Sequence, residues 1–96
     1  MRVRWLRTAT QNLNDAAEYI AQDNPLAASK VVDIITTLSR RLADYPLLGR
    51  PGRIPGTREF AVPRTPYILV YRIRNARVEI MRIFHGARKW PAQFDE

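Results

Sequence analysis

One side chain in this sequence is of the type that serves as an ordinary general base at neutral pH. His85, the lone histidine, closes an alternating apolar run, with Arg82 three residues before it and Arg88 three after. A histidine base flanked by guanidinium groups suits the cleavage of RNA. Such a site needs a base for the 2′-hydroxyl, an acid for the leaving oxygen and cations for the charge gathering on phosphorus. His85, Glu59 and the arginines include all three types. The competing reading is packing: a lone histidine at a strand end more often caps or packs than it catalyses, and the residues taken alone favour that role.

Other residues carry similar double readings. Arg50, Arg53, Arg58 and Arg64 fall in a loop and a turn, where they either line a phosphate-binding surface or, more commonly, solvate a sheet rim. Trp90, followed by Pro91, reads as a recognition residue or as an anchor for the C-terminal segment, while Trp5, Tyr67 and Tyr71 read as structural. Gly49-Arg50-Pro51-Gly52 lacks the Lys-Ser/Thr and the helix that a P-loop requires. With no cysteine and one histidine, neither a disulfide framework nor a zinc or haem site is expected, and we expect no metal and no cofactor.

The elements that must hold these residues follow from periodicity. Arg2 to Leu6 alternate as a short strand. From Thr8 or Thr10, either able to cap a helix, Leu13, Ala16, Ala17 and Ile20 make an apolar stripe that ends near Asp23. Asn24-Pro25 then caps and opens a second helix, whose stripe runs through Ala27, Ala28, Val31, Ile34, Ile35, Leu38 and Leu42 until Pro46 forbids it. Residues 47–57, rich in glycine, proline and arginine, read as an ordered basic loop. Three antiparallel strands follow at 59–62, 67–73 and 77–85, the middle one most continuously apolar and therefore central, with Val78, Ile80 and Phe84 alternating along the last. The order is βααβββ, an α+β fold with a helical hairpin on one face of an antiparallel sheet. Ninety-six residues make one domain, 1–96, and the tail from Ala92 to Glu96 is expected to fray.

Charge is uneven along the chain. Sixteen basic residues against nine acidic give +7, and the first 39 residues, with four of each, contribute none of it. The second part therefore points to an acidic or anionic partner. No apolar stretch resembles a signal peptide or a membrane span, so a cytoplasmic location is expected.

An ordered set of motifs carries more than any one of them. Ala-Glu-Tyr-Ile-Ala at 17–21, Asn24-Pro25 with Ala27-Ala28, Pro46 with Gly49-Arg50, Gly56-Thr57-Arg58-Glu59, the run from Pro66 to Arg72, and His85-Gly86-Ala87-Arg88-Lys89-Trp90-Pro91 together resemble the RelE/ParE superfamily of toxins from bacterial type II toxin–antitoxin modules. The resemblance covers nearly the whole chain. It implies a growth inhibitor held in a hetero-oligomer by an antitoxin, ParD- or RelB-like, whose acidic flexible C-terminal segment wraps the toxin. Arg50, Arg53, Val32 and Ile35 are the expected antitoxin contacts.

The superfamily contains ribosome-dependent mRNA nucleases, RelE-like, and gyrase poisons, ParE-like. The nucleases resemble one another in an arginine directly after the tyrosine that opens the central strand, in basic residues on the preceding strand and in a tyrosine near the C-terminus. This chain has Ile68, Glu59 with Ala61, and Phe94 at those positions, and only Arg88 matches the late catalytic arginine. A family subset uses a late histidine, for which His85 stands. The resemblance therefore implies a ParE-like protein that binds DNA gyrase without catalysis, with Arg58, Arg64, Arg82, His85, Arg88 and Trp90 as target-binding residues. The alternative is a metal-independent endoribonuclease acting on ribosome-bound mRNA through His85, Arg82, Arg88 and Glu59. A third expectation is a toxin relative that has lost toxicity and serves only as its antitoxin's partner and co-repressor.

Overall fold

The computed structural model describes residues 1–86, Trp90, Pro91 and Phe94. The elements in chain order are β1 (Arg2–Trp5), α1 (Arg7–Ala21), α2 (Pro25–Asp44), β2 (Arg50–Pro51), β3 (Arg58–Ala61), β4 (Tyr67–Arg74) and β5 (Arg77–His85). The strands form one sheet in the order β1-β5-β4-β3-β2, antiparallel except where β1 runs parallel to β5. The most continuously apolar strand, β4, is central, as its composition predicts.

Asn24 caps α2 as expected: its side chain accepts a hydrogen bond from the Ala27 amide at 3.0 Å, and Pro25 takes the first helical position. The start of α1 differs. Neither Thr8 nor Thr10 caps it; Leu6 holds the cap position with no side-chain bond, and the helix begins at Arg7. The sheet fixes this start, because the Leu6 amide donates to the Ile80 carbonyl at 2.9 Å and the chain turns directly from β1 into α1. Ala9, outside the stripe read from Leu13 onward, is the most deeply buried residue of α1.

Both helices pack on one face of the sheet. Ala9 of α1 and Ile35, Leu38 and Leu42 of α2 meet Leu69 and Tyr71 of β4 and Val78, Ile80 and Ile83 of β5. Burying each large aliphatic side chain contributes about 1.5–3 kcal/mol, which is why the sheet and the hairpin form together.

Two features of the sheet depart from the sequence reading. The basic loop contains a strand: Arg50 and Pro51 pair with Glu59 and Arg58. A two-residue strand ending in proline lies at the sheet edge, where the missing amide costs nothing. The second departure is in β5. Tyr71 faces Ile80 while Val70 faces Arg82, so Met81 is an extra residue. Since side chains alternate with a period of two, one extra residue exchanges the two faces. Val78 and Ile80 point to the helices, but beyond Met81 it is Ile83 and His85 that do so, and Phe84 turns to the opposite face. Val78, Ile80 and Phe84 are therefore not one stripe.

Strands β4 and β5 join through Asn75 and Ala76, with φ of 53° and 57°. Two left-handed residues are what a type I′ hairpin requires, and Asn tolerates this region where Ala does not. Ala76→Gly is expected to stabilise the protein by about 0.5–1 kcal/mol, net of the extra entropy of glycine in the unfolded chain. Thermal melting checks this as a Tm higher by about 4 °C.

Candidate functional site

His85 lies on the helix side of the sheet. It pairs with Tyr67 across β4 and β5, and the two rings meet edge to face with centroids 5.8 Å apart. Because β1 ends opposite Ile80, no strand among the described residues covers the flank of β5 beyond that point. Asn12 of α1 takes its place, its side-chain oxygen accepting from the Ile83 amide at 3.0 Å. Between α1 and this flank is a cleft of about 500 Å³ lined by Asn12, Asp15, Ala16, Tyr19, Tyr67, Ile83 and His85. No lysine or arginine is among these described lining residues, and Asp15 is an acid, so the described lining supplies a phosphate with no cation. The sequence reading missed Asn12. The signal was present, since Asn12 lies four residues before Ala16 and so is a polar residue beside the buried stripe.

Arg82 faces the other way. It stands opposite Val70, which in turn stands opposite Glu59, so Arg82 and Glu59 share the face away from the helices. The Arg82 guanidinium donates to the Met81 carbonyl at 2.7 Å and sits 4.7 Å from the centroid of the Phe94 ring. His85 and Arg82, joined in the proposed nuclease set, are thus separated by the sheet itself. Arg88 lies outside the described residues, as does all of the expected fraying tail except Phe94.

Glu59 is only 3% exposed and fully engaged. Its Oε2 accepts from the Arg53 amide at 2.7 Å and from Arg53 Nε at 3.2 Å, its Oε1 from Arg53 Nη2 at 3.3 Å, and Arg50 stands 3.6 Å away. Burial pushes this carboxyl up, but the hydrogen bonds and charge of Arg53, helped by Arg50, outweigh it and hold it below the ordinary glutamate value. A carboxyl held ionised cannot serve as the acid for a leaving oxygen at neutral pH. Through these bonds Glu59 fastens the β2 loop to β3, a structural use of the side chain that stands beside the catalytic one read from the sequence.

The face away from the helices gathers the positions at which this chain departs from the nuclease pattern. Ala61, Ile68 and Phe84 are cross-strand neighbours, and Phe84 stacks on Trp90 at 4.5 Å and on Phe94 at 5.8 Å. Arg53 covers the Trp90 ring at 3.6 Å while still bonding Glu59. Trp90 thus packs onto the sheet between Phe84 and Arg53, the contact that its reading as an anchor requires. At these positions the described face carries apolar side chains, with the Arg53 and Arg82 guanidinium groups laid over the Trp90 and Phe94 rings beside an ion-paired Glu59.

The remaining candidates separate. Arg58 bonds the Gly49 and Leu47 carbonyls at 3.1 and 3.4 Å, so it braces the loop from within. Arg64 is exposed at a left-handed turn position. The side chain of Arg50 is 72% exposed despite its contact with Glu59. Val32 lines a shallow groove between the helices with Ala17, Ala21 and Ala28, rimmed by Glu18 and Asp33. Ile35 is fully buried beneath the sheet and is withdrawn as an antitoxin contact: it belongs to the same helix stripe as Val31 and Leu38, on the core side.

Comparison with known proteins places this geometry. Residues 3–90 match the family model of the ParE toxin of type II toxin–antitoxin systems, parDE. The chain is 44% identical over 90 residues to Y4kP of Sinorhizobium fredii, named as a toxin, covering 94% of this chain and 93% of that protein. It is 35% identical over 86 residues to toxin RelE2 of Caulobacter vibrioides, covering 90% and 96%. Among solved structures it resembles a chain of the chromosomal ParDE system of P. aeruginosa, with TM-score 0.79 and 27% identity, covering 88% of this chain and 95% of that one. A chain of the RelBE2 toxin–antitoxin complex of Mycobacterium tuberculosis is similar with TM-score 0.53 and 31% identity, at the same coverage.

Proposed function

The chain belongs to the ParE toxin family of type II toxin–antitoxin systems, and from this premise we propose that it stops growth by binding DNA gyrase and stabilising its cleaved-DNA state, with no bond-making chemistry of its own. One observation carries the reading: among the described residues of the nuclease set, His85, Arg82 and Glu59 do not converge. His85 opens on a cleft with no cation among its described lining, Arg82 lies across the sheet, and Glu59 is ionised and bonded. The aromatic and apolar face built from Ile68, Phe84, Trp90 and Phe94 is suited to anchoring a protein target.

The neutralising partner is an antitoxin. Val32 and the small residues around it give a peptide an apolar floor, whereas the exposed Arg50 supplies the attraction for acidic residues.

Purified protein added to gyrase, ATP and relaxed plasmid is expected to stop supercoiling and leave protein-linked linear DNA, with reversal by the antitoxin. In the same assay His85→Ala is expected to retain inhibition to within about threefold, since it removes one contact among many. Undisturbed supercoiling by a protein that still stops growth, with ribosome-dependent mRNA cleavage lost by more than about a hundredfold in His85→Ala, would establish the nuclease reading instead.

A further inference from the structure

The face of the sheet away from the helices has a second region, at the β4–β5 hairpin, that the preceding reading does not use. Arg2 stands opposite Arg77, and Arg77 opposite Arg74, so three arginines form one row across β1, β5 and β4. The adjoining row is Arg4, Glu79 and Arg72. Between the rows, Val3 and Val78 point to the core on the other side. Five arginines thus surround one glutamate. With strands ~4.8 Å apart and same-face residues ~7 Å apart, they occupy a patch of roughly 10 by 7 Å.

Glu79 does not neutralise this patch. It is 4% exposed and bound to Arg72 Nε at 2.7 Å, and Arg72, then Arg74 and Arg4, hold its carboxyl below the usual value against the opposing effect of burial. Among the described residues, the side chains of Arg2, Arg4, Arg74 and Arg77 make no hydrogen bond or ion pair, and Arg2, Arg4 and Arg74 are exposed. Like charges directly opposite on neighbouring strands destabilise a sheet. Two such pairs side by side in one row mark a surface arranged for an anionic ligand.

We propose that this arginine surface binds the phosphate backbone of duplex DNA, a proposal that rests on the gyrase reading and gives the toxin its own hold on the DNA segment in the enzyme. Guanidinium groups pair with phosphate oxygens in two-pronged fashion, and a flat sheet holding several at fixed spacing follows a regular backbone. An acidic protein partner would need apolar anchors, and this patch has none. A single strand would need open aromatic rings beside the arginines for its bases, whereas the patch itself contains no aromatic residue and, elsewhere on this face, Trp90 and Phe94 both pack on Phe84.

The test is fluorescence anisotropy of a labelled 20-base-pair duplex with the full chain, over a salt series. Arg74→Gln/Arg77→Gln is compared with Lys30→Gln/Arg40→Gln, which removes the same charge from the exposed surface of α2. The hairpin pair is expected to lose affinity about tenfold or more at low salt and to lower the slope of log K against log salt by about 1.8, the α2 pair by less than half of that. Its Tm should be unchanged or higher, because an opposed pair of like charges is gone. Equal losses from the two pairs, or an unaltered hairpin variant, would overturn the proposal. So would a larger loss for an acidic peptide or a single strand than for the duplex. Supercoiling separates the two readings. If the patch binds duplex but gyrase is undisturbed, the gyrase reading fails alone; if gyrase is poisoned and the hairpin variant binds duplex normally, the present one fails alone.

Discussion

Tyr71→Phe is expected to destabilise the protein by about 3 kcal/mol and to lower Tm by roughly 15 °C. The side chain is fully buried at the centre of β4, and its hydroxyl joins two segments of backbone that no ladder reaches. It donates to the Pro46 carbonyl at 2.7 Å and accepts from the Gly49 amide at 2.8 Å, holding the chain between α2 and β2 against the sheet. Removing one oxygen leaves the buried Gly49 amide without its partner and the Pro46 carbonyl dependent on water. The penalty is set by those abandoned groups rather than by the lost bond. Gly49 belongs to the same device, since a Cβ there would lie 2.7 Å from the Tyr71 hydroxyl and 2.8 Å from the Glu59 carbonyl. Equilibrium denaturation by urea checks the magnitude. A loss below about 1 kcal/mol would mean that water already satisfies these groups.

Local signals that agree with the final fold were legible in the sequence. The Asn24-Pro25 cap, the apolar stripe of α2 and the central place of β4 all follow from spacing, because the tertiary structure uses those preferences unchanged. What was not legible depends on contacts between distant residues. Nothing near Met81 announces an extra residue; it exists because β5 must keep pairing with β4 while the face toward the helices changes. Glu59 is six residues from Arg53, a separation with no periodic meaning, and only the fold of the β2 loop brings them together. The division of His85 from Arg82 is different. Residues three apart in a strand point to opposite faces, so the sequence itself argued against uniting them. Family resemblance named the positions 59, 61, 68 and 94, but only the pairing of the strands shows that three of them, with Phe84, make one continuous surface.

Glu59→Gln tests the structural role of that acid against the catalytic one. Loss of the charge weakens three hydrogen bonds from Arg53, and because the Arg53 side chain is 45% exposed, part of the loss is recovered by solvent. The expected destabilisation is about 2 kcal/mol, a Tm lower by roughly 10 °C. Its pH dependence has a definite sign. Glu59 and Glu79 both have folded values below the ordinary 4.5, so the unfolded chain binds their protons first as pH falls. Their stabilisation is complete above that value and disappears as pH drops through the folded ones. The gap between the native protein and Glu59→Gln should therefore be full at pH 7 and close progressively below about pH 4.5, where the native carboxyl also becomes neutral. Growth inhibition by the variant below its Tm is expected to match that of the native chain, because the carboxyl fastens a loop and transfers no proton. An inactive variant that melts normally would reverse the assignment, since only a group acting on substrate separates activity from stability in that direction.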